Sequence, residues 1–301
     1  MNYSQYPDPA LTIAHLSDPH LLADSLQYDA IDTAEHLRAA LTRLGDVVTP
    51  PRALVFTGDL ADRGEPDAYR RLRETVEPVA AEMGAEVIWV MGNHDEREAY
   101  SRELFGTESG EPQDRVHDVD GLRIIALDTT VPGYHHGELT DAQLTWLAEV
   151  LATPAERGTI LALHHPPIPV PTVPIAAVIE LKDQGRLAAV LAGTDVRLII
   201  GGHFHYSSYS TFAGIPVSVA SASCYTLDPA PMDRLISGVD GNQSFTMVHL
   251  YDDRVVNTVV PIPPAPEVTG HPANLREAVD AMSPEERFDL IARKDSELNK
   301  L

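Results

Sequence analysis

Val87-Ile88-Trp89-Val90-Met91-Gly92-Asn93-His94-Asp95 sets an apolar, β-rich run against an abrupt polar turn. A glycine opens the turn, and an amide, an imidazole and a carboxylate follow side by side. Taken alone, the cluster reads equally well as a polar turn with a satisfied histidine. Its neighbours decide how it is read. Towards the N-terminus, Ala53-Leu54-Val55-Phe56-Thr57 is a second buried strand that ends in Gly58-Asp59. Before it, Thr12 to Ser17 is a first strand, ending in Asp18-Pro19-His20. Ala30 to Val48, with Leu37, Leu41 and Leu44 on one face, and Glu65 to Met83 have helical spacing. This alternation predicts βαβ units whose strands are buried between layers. Ligand sites in such sheets lie beyond the carboxyl ends of the strands. Core packing gives no reason for three successive strands to end in Asp-x-His, Gly-Asp and Gly-Asn-His-Asp.

Towards the C-terminus, Arg115 to Val119 and Leu122 to Asp128 read as a hairpin across Asp120-Gly121. The loop Pro132 to Gly137 follows, and Thr140, with Gln143 in capping-box position, starts a helix running to about Leu151. Thr159 to Leu163 is a strand ending in His164-His165-Pro166-Pro167, and a further helix is expected before Ala192. Val196 to Ile200 ends in Gly201-Gly202-His203-Phe204-His205. Ile215 to Ala220, Ser244 to Leu250 and Val255 to Val260 are expected to be antiparallel strands of a second sheet. The chain then changes character. Residues 1–260 read as one body. Residues 261–301 read as a proline-rich arm and a last helix capped by Ser283-Pro284-Glu285-Glu286, packing on the body or on a second subunit.

A formal net charge of −23 excludes long nucleic acids as partners, because they need a basic surface. An anionic substrate would then need a strongly positive local feature, and bound metal ions would serve. No apolar run is long enough to span a membrane, and nothing near Met1 reads as a signal peptide. The single cysteine, Cys224, reads as a small buried hydrophobe and suggests a cytoplasmic location.

The strand-end groups are Asp18, His20, Asp59, Asn93, His94, His164, His203 and His205. Imidazole nitrogen with carboxylate or amide oxygen suits Mn²⁺, Fe or Zn²⁺. A thiolate zinc site is excluded for want of cysteines. Asp-x-His and His-x-His place alternate side chains on one side of an extended turn, as two ligands of one ion require. There are more donors than one ion needs, and a carboxylate bridging two ions would explain the excess. Asp59 is the best candidate.

These motifs, together with Phe56 to Asp62, Ile160 to Pro169 and Ile215 to Ser221, resemble the calcineurin-like metallophosphoesterases. Within them the chain resembles the class III cyclic nucleotide phosphodiesterases of the CpdA type, over residues 11–260. The resemblance implies an α/β fold, a four-layer α/β/β/α sandwich of two mixed sheets flanked by helices. It also implies two metal ions, one held by Asp18, His20, Asp59 and His205, the other by Asp59, Asn93, His164 and His203. By the same resemblance His94 faces the phosphate, Asp95 orients His94, and Asn93 and His135 contact substrate. His165, second of its pair, reads as a supporting residue. The implied reaction opens 3′,5′-cyclic AMP to 5′-AMP by in-line attack of a metal-bridging hydroxide, in a homodimer. The alternatives are a broader phosphodiesterase acting on 2′,3′-cyclic nucleotides or glycerophosphodiesters, and a scaffold that kept only the fold.

Overall fold

The computed structural model describes residues 5–230, 233–296 and 298. Contacts within the chain divide it into a main body, Pro9–Pro263, and a smaller unit drawn from the two terminal segments outside it. In the body, β1 (Leu11–Leu16) leads through α1 (Thr33–Gly45) to β2 (Ala53–Thr57), and α2 (Pro66–Met83) leads to β3 (Glu86–Val90). The three strands are parallel, so their carboxyl ends point the same way. After α3 (Arg97–Phe105), β4 (Arg115–Val119) and β5 (Leu122–Leu127) form an antiparallel hairpin. Asp120 and Gly121 both take positive φ, 52° and 85°, as the tightest hairpin turns require. Then follow α4 (Asp141–Leu151), β6 (Thr159–Leu163), α5 (Gln184–Leu191), β7 (Val196–Gly201), β8 (Ser208–Phe212) and β9 (Ile215–Val219). The short pair β10 (Thr226–Leu227) and β11 (Gly238–Val239) precedes β12 (Ser244–Leu250) and β13 (Val255–Pro261).

Two sheets result, one ordered β13-β12-β1-β2-β3 and the other β4-β5-β6-β7-β9-β8. Both mix parallel and antiparallel pairs. Successive side chains of a strand face opposite sides, and the sequence uses both. Ile13, Val55 and Ile88 pack with Ile124, Ile160 and Leu198 between the sheets. Ala14, Leu16, Leu54, Phe56 and Trp89 face the other way, onto Leu37, Leu41, Tyr69 and Leu72 of the first helical layer. Ile125, Leu127, Leu161 and Leu163 do the same against Leu147, Leu151, Leu187 and Leu191. The layers are therefore α/β/β/α, as expected. No described helix is long and apolar enough to cross a membrane.

Two expectations need correction. Ser244–Leu250 and Val255–Pro261 do not build the second sheet; β12 pairs antiparallel with β1 and β13 with β12, completing the first. Ile215–Val219 does lie in the second sheet, antiparallel to β8 as expected and parallel to β7 on its other side. Alternation along a strand says which faces are buried and nothing about which free sheet edge receives it. The helix α3 falls where the pattern looks irregular, and its buried face is short: Ala99, Tyr100, Ser101 and Leu104.

In the smaller unit, α6 (Leu275–Asp280) is followed by α7 (Pro284–Ala292). The Ser283 hydroxyl accepts from the Glu286 amide and the Glu286 carboxylate accepts from the Ser283 amide, closing the expected capping box. Phe288 on this helix is 69% exposed.

Candidate metal centre and active site

The carboxyl ends of β1, β2 and β3 meet those of β6 and β7 along one edge of the two sheets. Backbone bonds tie the turns together: the His20 amide donates to the Asp59 carbonyl, and the Gly202 amide to the His164 carbonyl. Asp18, His20, Asp59, His203 and His205 all adopt left-handed backbone, with φ between 44° and 73°. Such a conformation costs a non-glycine residue about 1–2 kcal/mol, and it clusters where side chains must be aimed. At Gly92 the need is space. A Cβ there would overlap the Asp59 amide and carboxylate, so only glycine lets the β3 turn approach so closely.

Each of the four histidines expected as ligands has one ring nitrogen committed outside the centre. His164 Nδ1 donates to the Thr57 carbonyl at 2.8 Å, His203 Nε2 to the Ile179 carbonyl at 3.0 Å and His205 Nδ1 to the Tyr225 carbonyl at 3.0 Å. His20 Nδ1 donates to Asp62 Oδ1 at 2.9 Å. Carbonyl and carboxylate oxygens only accept, which fixes the tautomers. The other nitrogens face one another. His20 Nε2 lies 3.2 Å from His205 Nε2 and 3.3 Å from Asp59 Oδ2. His164 Nε2 lies 3.2 Å from His203 Nδ1, 3.0 Å from Asn93 Oδ1 and 3.4 Å from Asp59 Oδ2. Asp18 Oδ1 completes the first group, 3.5 Å from His205 Nε2. Lone pairs converge on two points, with Asp59 common to both.

The electrostatics repeat that division. Burial pushes the His205 imidazole down to about 3 and holds His203 well below its ordinary value. Burial acts the same way on His164, yet the Asp59 carboxylate outweighs it and raises the ring to about 9. For His20 burial is again opposed, here by Asp59 and Asp62, and the ring rises well above its ordinary value. Burial also works against an ionised Asp59, but the imidazoles of His164 and His94 keep it well below the carboxylate range. Each group thus pairs an imidazole pushed down by burial with one raised by the carboxylates beside it, so positive charge is favoured in both groups. The donor set fits a pair of divalent cations, and outward N–H bonds to carbonyl or carboxylate are what metal-bound histidines make.

All seven expected ligands come together here. His94 lies at the partly exposed rim beside them: its ring is 4.7 Å from that of His20 and 5.1 Å from that of His135. Its amide donates to Asp59 Oδ1 at 2.8 Å, and its Nδ1 to the Asp62 carbonyl at 2.8 Å. His135 also arrives at the site, with Nδ1 accepting from the Asn93 amide at 2.9 Å. His165 has both nitrogens engaged, by the Thr129 hydroxyl at 2.7 Å and the His135 carbonyl at 3.0 Å. It holds the His135 loop.

Asp95 does not orient His94. Its carboxylate is buried and accepts from the amides of Gly92, Leu60 and Ala61 and from the Tyr69 hydroxyl, at 2.8–3.1 Å. The carboxylate ties the β2 and β3 turns to each other, facing away from the His94 ring. Burial and the Asp59 charge push it up to about 6. Asp95→Asn turns an NH₂ group towards these donors. We expect a loss of roughly 3 kcal/mol in urea unfolding, the scale of breaking buried charge-assisted hydrogen bonds. A fall in kcat at unchanged stability would contradict it.

The residue that does hold His94 is Asp62, which sequence reasoning missed. Its carboxylate fixes His20 and its carbonyl fixes His94. The signal was available, since Asp62 ends the Phe56–Asp62 stretch that carries the family likeness. The Thr57, Ile179 and Tyr225 carbonyls leave no such trace, because every residue type supplies one.

The calcineurin-like phosphoesterase family model matches residues 11–207. A Rhodococcus erythropolis protein named probable cyclic nucleotide phosphodiesterase is 50% identical over 93% of this chain and 93% of its own. A Mycobacterium tuberculosis protein named cAMP/cGMP dual specificity phosphodiesterase is 53% identical over 86% of this chain and 82% of its own. Among solved structures, a dimetal phosphatase from Danio rerio superposes with a TM-score of 0.61 at 18% identity, covering 85% of this chain and 98% of the other. That likeness concerns the fold alone.

Proposed function

The chain belongs to the calcineurin-like phosphoesterase family, and from that footing we propose that it is a metal-dependent phosphodiesterase opening 3′,5′-cyclic AMP to 5′-AMP. The observation that carries the reading is the pair of imidazole nitrogens, His20 against His205 and His164 against His203, opposed across a shared Asp59. One ion would be held by Asp18, His20, Asp59 and His205, the other by Asp59, Asn93, His164 and His203. Bound there, the ions supply Lewis-acid charge and lower the pKa of water.

The protein's own groups do the rest. Asp59 Oδ1 is held by the His94 amide, so its Oδ2 stays turned to both histidine groups. The ligand carboxylates and imidazoles are buried, whereas Asn93 and His94 are partly exposed and His135 is exposed. The phosphodiester therefore enters from the side of these three. With Nδ1 committed to the Asp62 carbonyl, His94 meets the substrate through Nε2. As imidazolium it offsets the charge gathering on the phosphoryl oxygens, or passes its proton to the departing 3′ oxygen. The single buried cysteine suits a cytoplasmic site of action.

The runner-up is the same chemistry on other phosphodiesters. Side-by-side kcat/KM values for cyclic AMP, 2′,3′-cyclic AMP and bis-p-nitrophenyl phosphate separate the two. Cyclic AMP is expected to lead, and a value far below the others would sink the cyclic AMP assignment. A scaffold would instead retain less than one transition-metal ion per chain when purified without chelator.

A further inference from the structure

Two cavities flank the centre, and they differ in chemistry. On the Asn93 side, a space of about 450 Å³ runs between the turn and residues 130–133 and is lined by Glu96, Arg97, Glu98 and Arg102. On the His205 side, a space of about 490 Å³ is lined chiefly by Tyr28, Ile31, Tyr225, Ile236 and Val239, with Asp240 at one wall. Tyr225 joins this second cavity to the centre. Its carbonyl holds His205, and its ring lies 4.5 Å from that of His205 and 6.4 Å from that of His20. Tyr28 meets it edge-on, with ring centroids 5.4 Å apart and hydroxyls 3.2 Å apart.

The cavity is built from restrained parts. Tyr28 and Asp29 are successive non-glycine residues with φ of 54° and 56°, unusual for an aromatic side chain. Gly238 lies flat on the Tyr225 ring, where a Cβ would stand 3.1 Å from it. Tyr28 nevertheless remains 69% exposed and Ile236 50% exposed. An aromatic, largely apolar slot with hydroxyls and a carboxylate at its edge suits a flat heteroaromatic ring that carries an exocyclic amine. The opposite cavity does not, since a base entering it would strip water from charged side chains.

We propose that the Tyr28–Tyr225 cavity seats the purine base of the cyclic nucleotide, an inference that rests on the phosphodiesterase reading above. With the phosphate at the paired histidines, the ribose crosses the edge of Tyr225. The base stacks against the tyrosines and directs its amine towards Asp240.

Tyr28→Ala removes a stacking partner, and Val239→Phe fills the slot. In metal-replete protein, calorimetry should show 5′-AMP binding about tenfold tighter than ribose 5-phosphate, and both variants should erase that difference. The ratio of kcat/KM for cyclic AMP to that for bis-p-nitrophenyl phosphate should fall about tenfold in both. Turnover of the second substrate shows that the variants are folded. The proposal is overturned if wild type binds both ligands equally, if the variants keep the preference, or if Arg102→Ala in the opposite cavity erases it instead. A wild type that prefers 5′-AMP yet fails on cyclic AMP leaves the base cavity standing and removes the substrate assignment.

Discussion

Asp59→Asn should abolish activity on every phosphodiester, lowering kcat/KM by at least about 10³-fold, beyond what removal of one transition-state donor costs. The substitution keeps the shape of the side chain and removes its charge. That charge faces His20 and His164 at 3.3 and 3.4 Å and is the one group common to both halves of the centre. Every other proposed ligand serves one half. Loss of Asp59 should therefore empty both sites together, and metal analysis should find well under one ion per chain. A variant that holds two ions, or one with activity within about tenfold of wild type, would show that the two groups do not share this carboxylate.

His94→Ala should behave differently. Its ring is absent from both ligand groups, so metal content should remain at the wild-type level. The loss should fall on kcat, by about 10²–10⁴-fold, the range for a positioned proton-transfer group, with KM nearly unchanged. Comparison with Asp62→Asn sharpens the test. Asp62 hydrogen-bonds His94 through its carbonyl, which the substitution preserves, with its carboxylate 4.0 Å away, but it hydrogen-bonds His20 through that carboxylate at 2.9 Å. Asp62→Asn should thus lower metal affinity by about 10–100-fold, as loss of a partner behind a ligand does. If His94→Ala sheds metal as Asp62→Asn does, His94 belongs with the ligands.

Much of this was legible in the sequence, for identifiable reasons. Polar clusters at the ends of apolar strands stand out because nothing in a buried βα sheet requires them, and all seven proposed ligands were visible in that way. Gly92 was visible as well, although the overlap that makes it indispensable was not. The destination of β12 was hidden: β1 offers an open edge, but strand patterning does not name its partner. Asp95 was misassigned because adjacency in sequence was read as adjacency in space. A tight turn sends neighbouring side chains apart, and Asp95 points inward to the Tyr69 hydroxyl and the Leu60 and Ala61 amides while His94 points to the rim. The Tyr28–Tyr225 cavity could not be seen at all, since its walls come from loops some two hundred residues apart in the chain.

The left-handed backbone at Asp18, His20, Asp59, His203 and His205 also bears on what the chain would become without its chemistry. The backbone at each of those positions suits glycine better than the residue it carries. In a descendant freed from catalysis the backbone would not oppose that exchange. Aspartate and histidine at all five are what the proposed reaction would demand, and the same five positions supply a test for relatives that share the fold: those that have relaxed to glycine should have lost the chemistry.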